Sequence, residues 1–293
     1  MTENVTLFIA FVLHMYKRIL AAVNEFTNSE AAARYAIAIA KSSHAKLFLV
    51  FVAGKNIDRD VLRQTESALE RLFIEAENNG IEVESAIESG EPFKKINEIV
   101  REHNVDIVFT ATRREDVKKR FFVKTISRQL MVKLPCSVAM VRAVKMGGIH
   151  LKHILVPLRG RITNLDERAY FIAKLAEGFG SKVTLFHLHR PVTSFFHGEI
   201  HFKPVQRDKH IPSDMEKFSE RLHRDKVPIE KKIEYGGIAK SITAEAAFRR
   251  NDLIVMGASE KSLLRSLIRG NPVEGVLRET LCNLIIFRPR RGK

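Results

Sequence analysis

Short apolar runs alternate along the chain with longer stretches in which apolar residues recur every three to four positions. In the first half, Ile19–Val23, Ala45–Val52, Val105–Ala111 and Cys136–Val141 are apolar throughout, the pattern of strands buried on both faces. Between them, Ser29–Ser43, Asp58–Asn79, Pro92–His103 and Val123–Lys133 carry helical periodicity. Glu82–Ser89 alternates charged and small apolar residues, which suits an outer strand. The punctuation agrees. Ser29 fits an N-cap, Gly80 the residue after a helix end, and Pro92 the first helical turn. The second half repeats this order from His153 to Phe287. Apolar strands alternating with helices predict an α/β fold: an open, mainly parallel, five-stranded sheet with helices on both faces. Ligands of such sheets bind beyond the carboxyl ends of the strands.

The two halves are copies. Tyr16-Lys17-Arg18-Ile19-Leu20-Ala21 resembles Leu151-Lys152-His153-Ile154-Leu155-Val156 at an offset of 135. Thr27-Asn28 matches Thr163-Asn164 at 136, as Ala45–Leu49 matches Ser181–Leu185. Further on the offset is 146: Asp106-Ile107-Val108 matches Asp252-Leu253-Ile254, Cys136 matches Cys282, and Arg142 matches Arg288. One insertion in the second copy, about 190–212, accounts for the change. The expected organisation is an extension over 1–15, a first domain over 16–145 and a second over 151–290. Val5–Leu13 is apolar but far shorter than the roughly 20 residues a membrane span needs. No basic segment precedes it, so Met15 reads as the natural start.

Composition narrows the partners. The 293 residues are 45% hydrophobic and 28% charged, which excludes a disordered chain. Two cysteines are too few for a disulfide scaffold, and a reducing, cytoplasmic setting is expected. Lys and Arg number 49 against 34 Asp and Glu, a net charge of +15. The first 150 residues carry +4 of it and the remainder +11. That field favours anionic partners. With no Trp and 4 Tyr there is little for a base-stacking platform.

Candidate chemistry concentrates after the fourth strand of the second copy. Val255-Met256-Gly257-Ala258-Ser259-Glu260-Lys261 leads to Arg269-Gly270-Asn271-Pro272-Val273-Glu274. A strand ends in Gly, a second Gly stands before a helix, Asn271 fits the N-cap and Pro272 the first turn. Free amides at such a helix start form a phosphate site. At this point the chain resembles the universal stress proteins, over nearly its whole length from about Tyr16. That family has a Gly-x2-Gly-x9-Gly-Ser/Thr nucleotide loop after the fourth strand. Its opening Ile-Leu-Val-Pro-x-Asp is similar to Ile154–Arg159, and its Pro-Cys-Pro-Val to Leu134-Pro135-Cys136-Ser137-Val138.

The resemblance implies two tandem Rossmann-like domains of the adenine nucleotide alpha-hydrolase-like type. They would pack as an intrachain pseudo-dimer through Ser137–Val141 and Asn283–Phe287, and a homodimer of the whole chain is a further possibility it raises. It implies a regulatory stress-response protein, not an enzyme, with ATP or another adenine nucleotide, and Mg²⁺ with it, at domain 2 only. Its expected contacts are Pro157, Arg159, Gly257, Ala258, Gly270, Asn271 and Pro272. This sequence departs from the family at Glu260, where a Gly belongs, and at Arg159, where an Asp belongs. Copy one departs further. Ala111, Arg114 and Lys124 replace the three glycines, Asn24 replaces the Asp, and only Thr125 keeps its place. Its loop instead carries a basic cluster, Arg113-Arg114 and Lys118-Lys119-Arg120.

His187, His189, His197, His201 and His210 gather in the second copy. On a helix, His197 and His201 would share a face and could hold Zn²⁺ or Ni²⁺; surface imidazoles on a polar insertion are the plainer reading. Both cysteines read as small apolar packing groups, and no nucleophile has an evident partner base. Two other functions stay open: a scaffold acting through a regulatory protein partner, and a basic nucleic-acid binder, which steep salt dependence would reveal.

Overall fold

The computed structural model describes residues 15–54, 57–112, 125–144, 149–189, 211–258 and 272–291, and the backbone of 193–196 and 199–202. Domain 1 runs β1 (Arg18–Ala22), α1 (Thr27–Ser43), β2 (Lys46–Ala53), α2 (Arg59–Asn78), β3 (Val83–Ser89), α3 (Pro92–Glu102), β4 (Ile107–Ala111), α4 (Ile126–Lys133) and β5 (Ser137–Arg142). Domain 2 runs β6 (His153–Leu158), α5 (Leu165–Phe179), β7 (Lys182–His189), the hairpin β8 (Thr193–Phe196) and β9 (Glu199–Phe202), α6 (Ser213–Arg224), β10 (Ile229–Tyr235), α7 (Ile238–Phe248), β11 (Leu253–Gly257), α8 (Pro272–Glu279) and β12 (Asn283–Arg288).

Each domain pairs its five main strands in parallel, in the order third, second, first, fourth, fifth. The two sheets are continuous. β5 and β12 pair antiparallel, with Met140 opposite Ile286, and close a ten-stranded sheet. Period-two burial serves both faces. In β2, Leu47, Leu49 and Phe51 join the core under α1, α2, α5 and α6. Phe48, Val50 and Val52 join the core under α3, α4, α7 and α8. The edges are β3 and β10, and both are protected by charge. Lys46 bridges Glu82 and Glu84, and Lys232 bridges Glu234 and Glu245.

The repeated residues have physical reasons. Asp106 accepts the Lys17 and Arg18 amides at 2.8 and 3.0 Å. Asp252 accepts those of Lys152 and His153 at 2.9 and 3.1 Å. Each aspartate thus pins the start of its domain's first strand to the fourth. The matched arginines cross the domain boundary. Arg142 donates to the Thr280 carbonyl at 3.2 Å, beyond the end of α8. Arg288 donates to the carbonyls of Leu134 at 2.9 Å and Cys136 at 2.6 Å, beyond the end of α4. A cation at a helix C-terminus is favoured by the helix dipole. On the opposite face α1 and α5 meet. Ser42 Oγ donates to the Lys174 carbonyl at 2.8 Å. At the position equivalent to Ser42, Gly178 leaves room for the Ala38 carbonyl; a Cβ there would lie 2.6 Å from that oxygen. Tyr35 packs edge-on against Phe179, and its hydroxyl oxygen accepts from Asn283 Nδ2 at 2.9 Å.

Two expectations need correction. α1 begins at Thr27 with Phe26 at the N-cap position, so Ser29 lies inside the first turn. Its hydroxyl donates to the Phe26 carbonyl at 2.8 Å and accepts the Asn24 amide, tying the loop to the helix. Within the inserted segment, the described residues form the paired strands β8 and β9 and no helix. His201 sits in β9 opposite Ser194, in a strand and not on a helix. His197 and His210 lie outside the described residues. Among those described, no group of three or more His, Cys, Asp or Glu is placed to hold a metal ion. Nor is any described helix long and apolar enough to cross a membrane.

Candidate functional site

In a sheet of this order the chain reverses direction between its first and fourth strands, and a crevice opens at their carboxyl ends. Domain 2 has a cavity of about 440 Å³ there, between β6 and β11. Pro157, in β6, and Arg159, just beyond it, form one wall; Gly257, the last residue of β11, and Ala258 form another. Pro272, the first residue of α8, and Val273 stand opposite. These are five of the seven residues the sequence singled out. Gly270 and Asn271 lie outside the described residues, as do Glu260 and the basic positions Lys261, Arg265 and Arg269.

The interior is apolar. Ile172, Phe186, Phe218, Ile238, Ile242 and Met256 line it. The charged groups on the wall are Arg159, Arg161 and Arg168, and among the described residues lining it none is acidic. His187, from β7, is also in the wall. Its Nδ1 lies 3.0 Å from the Leu158 carbonyl, which can only accept, so Nδ1 carries the hydrogen. Burial lowers the His187 pKa; the bond to Leu158 opposes this and neighbouring His189 adds to it.

Arg168 was not foreseen. It lies in the first turn of α5, where an arginine reads as solvated surface. Yet its Nε donates to the Thr163 carbonyl at 2.8 Å, its Nη2 to Ala258 at 2.9 Å, and its Nη1 approaches the Phe287 carbonyl at 3.4 Å. The guanidinium carbon lies 6.0 Å from the centre of the Phe287 ring. Burial pushes its pKa down to about 10, with Glu167 opposing. Gly257 is what admits it: a Cβ on Gly257 would lie 2.1 Å from Arg168 Nη1. The only hint in the sequence was that glycine, 89 residues away.

Domain 1 treats the equivalent positions differently. Asn24, at the end of its first strand, turns its Oδ1 back to the Phe26 amide at 3.0 Å. Ala111 ends β4, and Thr125 takes the N-cap position of α4 with no side-chain capping bond. The basic cluster of its loop, from Arg113 to Lys124, lies outside the described residues. The cysteines are packing groups in both domains. Cys136 and Cys282 are buried, and burial pushes the Cys136 thiol up to about 12, with Arg288 partly offsetting.

Two fused, doubly wound α/β domains with a switch-point crevice define a class: tandem Rossmann-like proteins joined through their last strands. The universal stress protein family description matches residues 15–142 and again 150–288, and the chain belongs to that family. It is 29% identical over 140 residues to a Staphylococcus aureus (strain USA300) protein named as a universal stress protein, covering 43% of this chain and 84% of that one. The crystal structure of a universal stress protein from Archaeoglobus fulgidus superposes with a TM-score of 0.64 at 16% identity, over 96% of this chain and all of that one. One from Pseudomonas aeruginosa gives 0.61 at 17%, over 94% of each. At those identities the likeness establishes the fold.

Proposed function

We propose that this chain is a regulatory protein of the stress response that senses an adenine nucleotide in the domain 2 crevice. The observation that carries the reading is the cavity itself. It lies at the carboxyl ends of β6 and β11, has the volume of a small-ligand site, and is walled by Pro157, Arg159, Gly257, Ala258 and Pro272. An adenine ring suits the apolar side chains of α7 and β7, and phosphate suits the start of α8 and a cationic wall. Mg²⁺ would accompany a polyphosphate. Domain 1, with Asn24, Ala111 and Lys124 at the matching places, serves as the structural half.

The test is calorimetric titration with ATP, ADP and AMP, with and without Mg²⁺, against a Gly270→Glu variant. The expected result is one site per chain, lost in the variant. No heat from folded, nucleotide-free protein with any of the three sinks the proposal.

A further inference from the structure

The domain 2 crevice contains an imbalance of charge. Arg168 is held in place by three carbonyl groups; among the described residues no carboxylate is within ion-pair distance of it, and the neighbouring buried Glu167 acts on it only through space. Arg159 and Arg161 add positive charge at the mouth, and no acidic side chain in the described wall answers them. A guanidinium removed from water gains from a counter-charge, and Glu167, which accepts from Ser137 instead, meets that need only in part. The carbonyls of Thr163, Ala258 and Phe287 orient its plane but bring only partial charge. The guanidinium has five N–H donors in a fixed fork, and three are taken. Another part of the wall is uncharged: Phe186, Ile238 and Ile242 offer van der Waals contact and no hydrogen bond from a side chain.

We propose that Arg168 is the anion receptor of this crevice, and that the ligand is a small organic anion whose apolar, flat body lies against Phe186, Ile238 and Ile242. The proposal rests on the reading of the crevice as a ligand site and extends it to the ligand's charge. It assigns Gly257 a second duty: its missing side chain is the seat of the receptor. It also names a shared chemistry that two sources can supply, a nucleoside monophosphate or an aromatic carboxylate.

The experiment compares matched pairs on the whole chain by calorimetry: AMP against adenosine, and 2-naphthoate against 2-naphthylmethanol. In the wild type the anionic member of a pair that binds is expected to be tighter by about ten-fold or more, the scale of one charge-assisted hydrogen bond. Arg168→Gln is expected to erase that preference while leaving the neutral member's affinity within a few-fold. Arg168→Lys is expected to keep part of it, which a purely structural arginine would not predict. Equal affinity within the wild-type pairs overturns the proposal, as does a preference that survives in a folded Arg168→Gln. The wild-type comparison stands alone if the variant does not fold. Binding of 2-naphthoate with no adenine compound would sink the nucleotide reading and support this one. AMP and adenosine binding equally would do the reverse. No binding by any of the four overturns both.

Discussion

The carbonyl that follows the fourth strand is held in both domains, by different side chains of the same helix. In domain 1 the Thr112 carbonyl accepts from Asn28 Nδ2 at 3.1 Å. In domain 2 the Ala258 carbonyl accepts from Arg168 Nη2 at 2.9 Å. The counterpart of Asn28 is Asn164, which donates instead to Arg290 at 3.1 Å. The counterpart of Arg168 is Ala32, fully packed in the core. One backbone need, met by a short amide, leaves domain 1 neutral at this point. Met by a long cation, it places charge in a crevice and demands a glycine at the end of the fourth strand. The backbone is common to both copies; the chemistry parted with one helical turn.

The same pairing of copies ranks the expected effects. The largest separates the two boundary arginines. Arg288→Ala removes cross-domain bonds from a fully buried charge to the Leu134 and Cys136 carbonyls and is expected to cost about 3 kcal/mol; Arg142→Ala, whose bond to the Thr280 carbonyl is longer at 3.2 Å, is expected to cost less. Urea denaturation of the two variants measures the difference, and equal losses would show that the boundary is energetically symmetric. Next comes the α1–α5 contact. Gly178→Ala drives a methyl into the Ala38 backbone and is expected to cost about 2 kcal/mol. Ser42→Ala loses one hydrogen bond there, about 1 kcal/mol.

A smaller effect concerns the helix ends. His44 and Gly180 occupy equivalent left-handed positions, with φ of 51° and 64°. His44→Gly is expected to stabilise by about 1 kcal/mol and Gly180→Ala to destabilise by a similar amount. Paired thermal melts report both signs. The smallest effect is one of pH. His187 has its pKa lowered in the fold, and its counterpart in domain 1 is Phe51. The folded chain therefore binds its proton less readily than the unfolded chain does. Stability from this group is complete above the unfolded value of about 6.5 and is lost as pH falls through the folded value. His187→Phe should flatten that part of the stability curve, and an unchanged slope would assign it to another group.

Much of this comparison was legible in the chain. Apolar runs such as Leu47–Phe51 announce strands covered on both faces because their side chains enter two cores. The alternation in Glu82–Ser89 announces an edge because only an edge strand can turn so much charge to water. The collinear matches Asp106/Asp252 and Arg142/Arg288 are visible as letters, and the structure supplies their purpose. Gly257, Ala258 and Pro272 stand where strand ends and helix starts have local signatures, and Pro157 and Arg159 were named through the family resemblance; all five line one cavity. What stayed hidden depends on distant partners. Arg168 looks like any solvated arginine until Gly257, Ala258 and Phe287 surround it. The hairpin β8–β9 was missed because four-residue strands that pair only with each other leave no periodicity to read. Ser29 was mistaken for a cap because a serine entering a helix has the same local grammar whether it bonds forward or back.

The antiparallel join of β5 to β12 has a consequence for how such a molecule can change. In a dimer of identical subunits every contact occurs twice, so one substitution alters both halves of the interface at once. Here the halves are encoded separately. Ser42 against Lys174 and Gly178 against Ala38 are one geometric contact with two independent solutions. Fusion also holds the halves at a fixed effective concentration, so dilution does not separate them. A mutation that would have been intolerable in duplicate needs to be tolerated only once, and one copy is free to keep the frame while the other is retuned.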